Sequence, residues 1–425
     1  MHPHGGTMLR VRRLNDNPTE SKTMTQKIVI AGSGFAGMWA AISAARAVSL
    51  AGKENEVEIT IVSPSPHLHI RPRLYETVFE EMAPDLAPLF KAIGVRHLAG
   101  TVEAIHAGSH QVEVLGADGQ RTTLPYDRFV LAAGSRLFMP NVPGLKEHAF
   151  NVDQLSSAMA LDAHLKALAH KPETAARNTV VVAGGGFTGI ETATEMPQRL
   201  RAIFGQDAKI RVVVVEQAPV IGPDLGPVPR PIIEEALAEC GVEVRTSTGA
   251  TAIDAKGVTL STGERIDTQT VVWTAGSRAN PLAAQIEGEH DRFGRVHADP
   301  YLRAKSVKDI FVTGDVALAA TDDQGNVASM SCQHAIRLGR FAGHNAAAEL
   351  VGLPVQPYRQ PRYVTCLDLG AWGAIFTEGW DRQVRLKRAE GKATKREINT
   401  KWIYPPQADR DAAFALANLD DAVVA

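Results

Sequence analysis

Two glycine-rich turns, each set between a short β-branched run and an alanine-rich stretch, constrain the fold of this chain most strongly. The turns read Gly32-Ser-Gly34-Phe-Ala-Gly37 and Gly184-Gly-Gly186-Phe-Thr-Gly189. Apolar runs flank each turn and its alanine-rich stretch, at residues 27–31 and 57–62 in the first copy and at 179–183 and 210–215 in the second. This order predicts two β-α-β units.

The glycine pattern has a physical meaning in this context. The first glycine allows a tight turn, the second lets a pyrophosphate approach the backbone, and the third lets the helix pack against the strand. The helix N-terminus then offers free N–H donors and a partial positive charge to the phosphates. One copy would also fit an ordinary turn before a buried helix, whereas two copies predict two dinucleotide sites in one chain.

Charge and cysteine content exclude several other classes of protein. The chain has 425 residues, and its 45 Lys and Arg are balanced by 47 Asp and Glu, so it lacks the basic field that attracts nucleic acid. The three cysteines lie far apart in sequence, which fits a reducing compartment and argues against a redox disulfide or a zinc site. His67 and His69 are interpreted as loop residues, and no metal is expected.

Two segments resemble targeting or membrane signals only superficially. Residues 1–25 are polar, lack an apolar core long enough for a signal peptide, and are predicted to form a disordered leader. The uncharged run 28–45 approaches the length of a membrane helix, but its glycines and serines argue against a membrane span.

Further motifs resemble those of the pyridine nucleotide-disulfide oxidoreductase superfamily of FAD- and NAD(P)-binding flavoproteins. Within it, the chain resembles the type II, single-subunit NADH:quinone oxidoreductases. The most specific motifs are Leu131-Ala-Ala-Gly-Ser135, Gly184-Gly-Gly-Phe-Thr-Gly-Ile-Glu191, Val272-Trp-Thr-Ala-Gly276, Asp309-Ile-Phe-Val-Thr-Gly-Asp-Val-Ala317 and Cys332-Gln-His-Ala335. The resemblance spans residues 27 to 405.

The resemblance implies an α/β fold with two Rossmann-like dinucleotide-binding domains, the second inserted into the first, and a C-terminal α+β domain. The FAD-binding domain would comprise residues 26–150 and 282–350, and the NADH-binding domain residues 151–281. Residues 351–425, where prolines and a basic stretch change the character of the sequence, would form the C-terminal interface domain.

The same resemblance implies which residues bind the two cofactors. FAD would contact residues of the first turn and of later segments that return to it, namely Gly32, Gly34, Phe35, Ala36, Gly37, Ser63, Arg73, Ala133, Gly134, Gly314 and Asp315. NADH would contact the second turn and two later strand ends, namely Gly184, Gly186, Phe187, Thr188, Gly189, Glu216 and Gly276.

Three of the implied FAD contacts have an alternative interpretation. Asp315 suits the flavin hydroxyls as an acceptor, or else caps a helix after a strand. Ser63 stands where the family has an acidic residue, so it makes a weaker ribose contact or a neighbour such as His67 replaces it. Arg73 is placed at the pyrophosphate or flavin, and ordinary surface charge is the alternative, above all for its neighbour Arg71.

An acidic residue at the end of the second strand bears on the choice of nicotinamide cofactor. Glu216 follows the run 211–215, at the position where a carboxylate accepts from ribose hydroxyls and repels a 2′-phosphate. The sequence therefore favours NADH over NADPH. A solvated strand end is the alternative.

Three residues are predicted to act where electrons leave the flavin for the final acceptor. Glu191 lies in the first helical turn after Gly189, where a carboxyl with a raised pKa could supply a proton, or where an acid merely favours a helix N-terminus. Gln333 falls in the family's Ala-Gln-x-Ala-x-Gln segment at the quinone entrance. Arg337 replaces the second glutamine and suits an anionic acceptor or a quinone carbonyl, unless it lies on a solvated helix face.

The C-terminal region leaves the partner and the location open. Residues 382–401 carry eight basic and two acidic side chains, which predicts a solvated face, a membrane contact or a dock for an acidic carrier. Residues 406–425 are acidic, so stable insertion of this tail into a membrane is not expected. A cytoplasmic protein is expected, with peripheral contact to the inner face of the cell membrane and a homodimer left open.

The predicted function is that of an FAD-dependent NADH dehydrogenase that passes a hydride from NADH to FAD and then two electrons to a quinone-like acceptor. Two alternatives use the same fold. One is an NADH-dependent reductase of a small iron–sulfur carrier of the ferredoxin or rubredoxin type, and the other is a redox sensor that binds both cofactors without turnover.

Overall fold

The computed structural model describes residues 1–2 and 25–420, so almost all of the predicted leader and the last five residues of the acidic tail lie outside it. The first part of the chain forms β1 (Gln26–Ala31), α1 (Phe35–Leu50), β2 (Val57–Ser63), α2 (Ala87–Ala92), β3 (Arg96–His106), β4 (Gln111–Gly116), β5 (Arg121–Pro125), β6 (Arg128–Leu131) and β7 (Ser135–Leu137).

The middle of the chain forms α3 (Leu145–His148), β8 (Ala149–Phe150), α4 (Leu155–Leu168), β9 (Thr179–Ala183), α5 (Phe187–Phe204), β10 (Arg211–Val215), α6 (Arg230–Glu239), β11 (Val242–Arg245), β12 (Ala250–Asp254), β13 (Gly257–Leu260), β14 (Arg265–Asp267), β15 (Thr270–Trp273) and β16 (Ser277–Ala279). The remainder forms β17 (Val296–His297), β18 (Arg303–Ala304), β19 (Val307–Val312), β20 (Ala317–Leu318), α7 (Cys332–Val351), β21 (Val364–Asp368), β22 (Ala374–Glu378), β23 (Gln383–Lys387), α8 (Arg388–Glu397) and α9 (Arg410–Leu416).

The first sheet has the strand order β18-β19-β6-β1-β2-β3-β4-β5. Strand β1 runs parallel to β2 and β6, with Ile28 opposite Ile59 and Arg128. The apolar run of β1 is buried on both faces, as expected for a central parallel strand covered by helices. Residues 28–45 are therefore the first β-α unit of a globular core, as the sequence predicts.

Helix α1 packs closely against α7, which returns from a distant part of the chain. A Cβ on Gly339 would lie 2.3 Å from the carbonyl oxygen of Ala36, and a Cβ on Gly343 would lie 2.0 Å from that of Ala40. Only glycine fits at these two positions because the backbones of the two helices touch. This packing places the N-terminus of α7 beside the first glycine-rich turn.

The second sheet has the order β11-β10-β9-β15-β8, and each neighbouring pair is parallel. Strands β9 and β10 with α5 form the second predicted β-α-β unit. Strand β8, which lies just before the boundary predicted between residues 150 and 151, pairs with β15 in the second sheet. Strand β7, before the segment that forms the second sheet, pairs antiparallel with β16, which follows that segment. The two crossings between the first and second sheets therefore lie side by side.

The last part of the chain adds the antiparallel sheet β21-β22-β23 and helix α8. A single turn of π-helix, Ile398–Trp402, extends α8. The parallel core of the first, mixed sheet, the parallel second sheet and this α+β addition confirm the predicted fold class. Within the described residues, no helix is both long and apolar enough to cross a membrane.

Candidate active site

The first glycine-rich turn has the geometry that a dinucleotide needs. Gly32 has a φ of +105°, and a Cβ there would lie 2.5 Å from the carbonyl oxygen of Ala132. A Cβ on Gly37 would lie 1.8 Å from the carbonyl oxygen of Gly32, so this position requires glycine for packing alone. A Cβ on Gly34 would meet no atom within 4 Å, which leaves the turn open where a pyrophosphate would approach.

The segment around Asp315 lies against this turn, as the sequence predicts. Gly314 has a φ of +69°, and a Cβ there would lie 2.8 Å from the Cβ of Ala36. The Asp315 Oδ2 atom accepts a hydrogen bond of 2.6 Å from Ser135 Oγ. Ser135 follows Ala133 and Gly134, so the three segments that were expected to contact FAD meet at one place. Phe35 and Ala36, in the first turn of α1, are buried beneath them.

The structure reverses the expected roles of the two arginines in residues 71–73, of which Arg73 was placed at the cofactor and Arg71 at the surface. Arg73, predicted at the cofactor, is buried, and its guanidinium hydrogen bonds to Glu76, Glu81 and the Tyr404 hydroxyl. Arg71, interpreted as surface charge, donates to Ser135 Oγ, forms an ion pair with Asp153, and has its Nη1 3.7 Å from Asp315 Oδ2. Arg71 is therefore the arginine that lies at the candidate FAD site.

Ser63 ends β2 at the predicted position but is already engaged. Its hydroxyl donates to the Ser65 carbonyl oxygen at 2.7 Å and lies 2.9 Å from His97 Nε2. The backbone carbonyl oxygen of His67, the suggested substitute, accepts a hydrogen bond from Ser33 Oγ at 3.1 Å. His97 is thus a neighbour that sequence reasoning missed, since it comes from β3 and no local motif marks it. Burial lowers the pKa of His97 and favours its neutral form.

The second glycine-rich turn repeats the geometry of the first. Gly184 has a φ of +119°, a Cβ on Gly189 would lie 1.8 Å from the Gly184 carbonyl oxygen, and a Cβ on Gly186 would meet nothing within 4 Å. Phe187 begins α5, and Thr188 is exposed in its first turn. Gly276, with a φ of +79°, follows β15, which runs beside β9.

Glu216 is held against this second turn. Its Oε2 atom accepts a 2.7 Å hydrogen bond from the Gly185 backbone N–H, and its Oε1 accepts one of the same length from Ala218. The two bonds fix the carboxylate beside the glycine loop, and each oxygen retains a lone pair for a ribose hydroxyl. This placement favours the predicted cofactor contact over a solvated strand end.

Replacing Glu216 with glutamine is expected to raise the KM for NADH by about tenfold and to reduce discrimination against NADPH. The amide NH2 cannot accept from a backbone N–H, and the negative charge that repels a 2′-phosphate disappears. Steady-state kinetics with both nucleotides measure the change. Glu243→Gln is the matched control, because Glu243 lies on the adjacent strand and pairs with Arg211 at the surface. An equal KM effect in both variants would contradict the assignment.

Glu191 lies in the first turns of α5 and forms a buried ion pair that the sequence did not reveal. Its Oε1 is 2.7 Å from Lys395 Nζ on α8 and accepts a 3.0 Å hydrogen bond from the Asp368 backbone N–H. Glu191 and Lys395 are 3% and 5% exposed. Burial raises the pKa of Glu191 to about 7, although Lys395 opposes this shift. The carboxyl can therefore hold or release a proton near neutral pH.

A network of polar side chains extends this pair toward the surface. Asp368 Oδ2 accepts from the Tyr75 hydroxyl at 3.0 Å, and its Oδ1 lies 2.5 Å from Lys392 Nζ. Lys392 also contacts Glu195 at 3.2 Å. The sequence did not predict any of these four residues as a site residue. They come from a turn, the strand β21 and the helices α5 and α8, which share no motif. No local sequence signal marks them, since Lys392 lies in the highly charged segment 388–397 and Tyr75 and Asp368 stand alone in theirs.

Ion pairs within the chain neutralise much of the positive charge of residues 382–401. This differs from the free basic patch that the sequence alone suggested. Most of the cations in this stretch pair with carboxylates of other elements or of α8 itself. The pairs are Arg385–Glu378, Arg388–Glu235, Arg388–Glu239, Lys392–Asp368, Lys392–Glu195, Lys395–Glu191 and Lys401–Glu397. The local excess of positive charge in sequence therefore does not become an equal excess on the surface.

Gln333 and Arg337 share one face of α7 but serve different contacts. The Gln333 Oε1 accepts a long hydrogen bond, 3.5 Å, from the Val364 backbone N–H at the start of β21. Arg337 donates from Nε to the Arg359 carbonyl oxygen at 2.7 Å, and its guanidinium lies 5.2 Å from the ring centre of Phe341. The structure thus joins Arg337 to the segment before β21 rather than leaving it on a solvated face.

Comparison with known proteins places this geometry in a family. The model of the pyridine nucleotide-disulphide oxidoreductase family matches residues 26–339. An NADH dehydrogenase-like protein of Mycobacterium tuberculosis is 45% identical over 396 residues, which cover 92% of this chain and 98% of the relative. A type II NADH:quinone oxidoreductase of the same species is 31% identical over 318 residues, covering 68% of this chain and 66% of the relative.

A solved structure supports the fold independently of sequence. NDH2 from Plasmodium falciparum, determined in complex with NADH, has a TM-score of 0.73 at 13% identity and covers 92% of this chain and 97% of its own. At that identity the likeness concerns the fold. Together with the family match, these findings confirm the predicted enzyme class, an NAD(P)H oxidoreductase, and the predicted cofactors, FAD and NADH. The chain belongs to the pyridine nucleotide-disulphide oxidoreductase family.

Proposed function

We propose that this protein is an FAD-dependent NADH dehydrogenase that passes two electrons to a quinone-like acceptor. The observation that carries the proposal is the buried ion pair between Glu191 and Lys395. Glu191 lies two residues after Gly189, the last glycine of the second turn. Reduction of a quinone consumes protons, and a buried carboxyl with a pKa of about 7 can supply one at neutral pH. The names of the mycobacterial relatives support the same activity.

The two turns would hold the two nucleotides. FAD would lie against Gly32, Gly34 and Gly37 with Asp315 at its hydroxyls, and NADH against Gly184, Gly186 and Gly189 with Glu216 at its ribose. FAD, when bound, supplies the capacity to take a hydride from NADH and to release an electron pair. The chain itself positions the two nucleotides through its turns and keeps water from the buried carboxyl.

Glu191 and Lys395 would share the handling of protons. When Glu191 is protonated, its carboxyl can donate to an acceptor oxygen, and Lys395 Nζ then stabilises the carboxylate that remains. The hydrogen bond from the Asp368 N–H fixes the position of Glu191 Oε1 throughout. Gln333 and Arg337 would line the acceptor entrance from α7.

The alternative acceptor, a small iron–sulfur carrier, was expected to use the basic stretch 382–401 as its dock. The internal ion pairs of residues 382–401 reduce the charge available for such a dock, so the structure does not favour it. We retain a cytoplasmic location as a proposal on the basis of cysteine usage, since Cys240, Cys332 and Cys366 are all free. Peripheral membrane contact and a homodimer stay predictions.

The two half-reactions test the proposal directly. The purified flavoprotein is mixed anaerobically with NADH, and then with menadione, while absorbance near the flavin maximum is followed. We expect rapid bleaching by NADH and rapid recovery on addition of the quinone. Recovery should slow as pH rises through about 7, because the protonated fraction of Glu191 falls above its pKa. Bleaching without recovery would reject the quinone assignment.

Glu191→Gln separates the proton role from cofactor binding. The amide preserves an acceptor for the Asp368 N–H but cannot release a proton, so we expect recovery with quinone to slow by roughly a hundredfold. Bleaching by NADH should change much less. The variant should also lose the fall in rate near pH 7, and retention of that pH limb would contradict the role of Glu191.

A further inference from the structure

A tight turn between β22 and β23 brings two large side chains onto a tyrosine outside the candidate site described above. The Gly379 N–H donates to the Tyr363 carbonyl oxygen at 2.8 Å, and the Arg382 N–H donates to the Gly379 carbonyl oxygen at 3.1 Å. Trp380 stacks on Tyr363 with ring centres 4.4 Å apart and planes inclined by 24°. The Arg382 guanidinium carbon lies 5.1 Å from the same ring centre.

His334, in the first turn of α7, completes this group, which we call the Arg382 cluster (His334, Tyr363, Trp380 and Arg382). Its ring centre lies 5.2 Å from that of Tyr363 and 6.1 Å from that of Trp380. His334 is fully buried. Burial, together with the positive charges of Arg295 and Arg382, lowers its pKa to about 4, so the ring is neutral.

Ser331 is the hydrogen-bond partner of the His334 ring. Ser331 Oγ accepts the His334 backbone N–H at 3.4 Å as the helix cap and lies 2.9 Å from His334 Nδ1. The hydroxyl can donate to a neutral Nδ1 or accept from a protonated Nδ1, and in either case Nε2 stays available to another group. In the described part of the chain, this Nε2 has no hydrogen-bond partner.

The cluster presents two certain donors without acceptors, Trp380 Nε1 and Arg382 Nη1, which are buried and have no hydrogen-bond partner among the described residues. His334 Nε2 is a third buried nitrogen without a partner there. Arg382 donates from Nη2 to the Tyr363 hydroxyl at 3.1 Å, and no described carboxylate lies within ion-pair distance of it. Arg382 is half-buried, and its Nη1 atom is shielded from solvent, so leaving this end of the guanidinium without an acceptor or a counter-charge is unfavourable. An anion would supply both the charge and the missing acceptors.

The position of the cluster indicates which anion it suits. Gln333, proposed at the acceptor entrance, immediately precedes His334 and accepts from the N–H of Val364, the residue after Tyr363. Trp380, which is half-buried and stacks on the buried Tyr363 ring, offers an aromatic edge beside the donors. We propose that the Arg382 cluster binds the acidic substituent of an aromatic acceptor, so that the enzyme prefers quinones carrying a carboxylate or sulfonate group. This inference rests on the proposed function.

Calorimetric titration of the purified flavoprotein with naphthalene-2-sulfonate tests the site without turnover. We expect Arg382→Asn to weaken binding by about tenfold or more, because the charge and its donors are lost. Asparagine is chosen since Arg382 has a φ of +57°, a conformation that asparagine tolerates. Arg385→Asn is the matched control, because Arg385 is exposed on β23 and pairs with Glu378. Equal binding by wild type and Arg382→Asn would overturn the site.

A kinetic comparison separates this inference from the proposed function. With 1,4-naphthoquinone-2-sulfonate the Arg382→Asn variant should show a raised KM, whereas with uncharged menadione its KM should match that of the wild type. A similar rise for both quinones would overturn the charge-based preference. Failure of the wild type to reduce either quinone would reject the proposed function and the acceptor role together, while the calorimetric result would still decide whether the anion site exists.

Discussion

Gly34→Ala protein is expected to fold as the wild type does and yet to lose most of its FAD. A Cβ on Gly34 meets no protein atom within 4 Å, and the residue has a φ of −65°, which alanine adopts easily. The added methyl group would instead occupy the space that the pyrophosphate needs. Overpacking of about 1 to 3 kcal/mol corresponds to a loss of affinity of roughly five- to 160-fold. Flavin absorbance per protein and circular dichroism measure the two properties separately.

Two further glycine variants control this result. Gly186→Ala is equally open in the second turn, so it should keep the bound flavin and raise the KM for NADH instead. Gly37→Ala should damage folding itself, because its Cβ would lie 1.8 Å from the Gly32 carbonyl oxygen. If Gly34→Ala kept its flavin, or if Gly186→Ala lost it, the assignment of FAD to the first turn and NADH to the second would be wrong.

Lys395→Met is expected to lower the free energy of unfolding by about 3 to 5 kcal/mol at pH 8, where it leaves the Glu191 carboxylate buried without its counter-charge. The loss should shrink as pH falls, because Glu191 then protonates and no longer needs a cation; without Lys395, which lowers the pKa of Glu191, this protonation occurs at higher pH than in the wild type. The double variant Glu191→Gln/Lys395→Met should recover most of the lost stability, since it removes both charges. Denaturant titrations at pH 6 and pH 8 measure these differences.

Lys392, the neighbouring lysine on α8, provides the comparison for the variants of Glu191 and Lys395. Lys392 contacts Asp368 and Glu195, and 33% of its own side chain is exposed. In Lys392→Met, water can reach the partly exposed Glu195, and the buried Asp368 carboxylate keeps hydrogen bonds from the Tyr75 hydroxyl and the Gly370 N–H. We therefore expect a clearly smaller loss for Lys392→Met than for Lys395→Met. Strictly additive losses in the double variant of Glu191 and Lys395 would contradict the interpretation of these residues as one interacting pair.

The outcome for the two arginines of residues 71–73 shows why some site residues resist prediction. Both are basic, both flank Pro72, and nothing in their immediate sequence distinguishes them. The structure separates them through distant partners: Arg73 contacts Tyr404 from the last part of the chain, and Arg71 contacts Ser135 and Asp153. Long side chains reach several ångströms, so the partner is decided by packing and not by position along the chain.

The amino-acid sequence was sufficient to predict the two β-α-β units, the open glycine at Gly34 and at Gly186, and the carboxylate at Glu216. These features are local: a positive φ, a Cβ that would strike a carbonyl oxygen, and an acidic residue at a strand end depend on a few consecutive residues. The pairing of Lys395 with Glu191, the ion pairs of residues 382–401 and the meeting of His334, Trp380 and Arg382 depend instead on how distant parts of the chain pack. Such pairs join residues from distant segments, and their burial, which sets their electrostatic strength, arises only when the segments pack together.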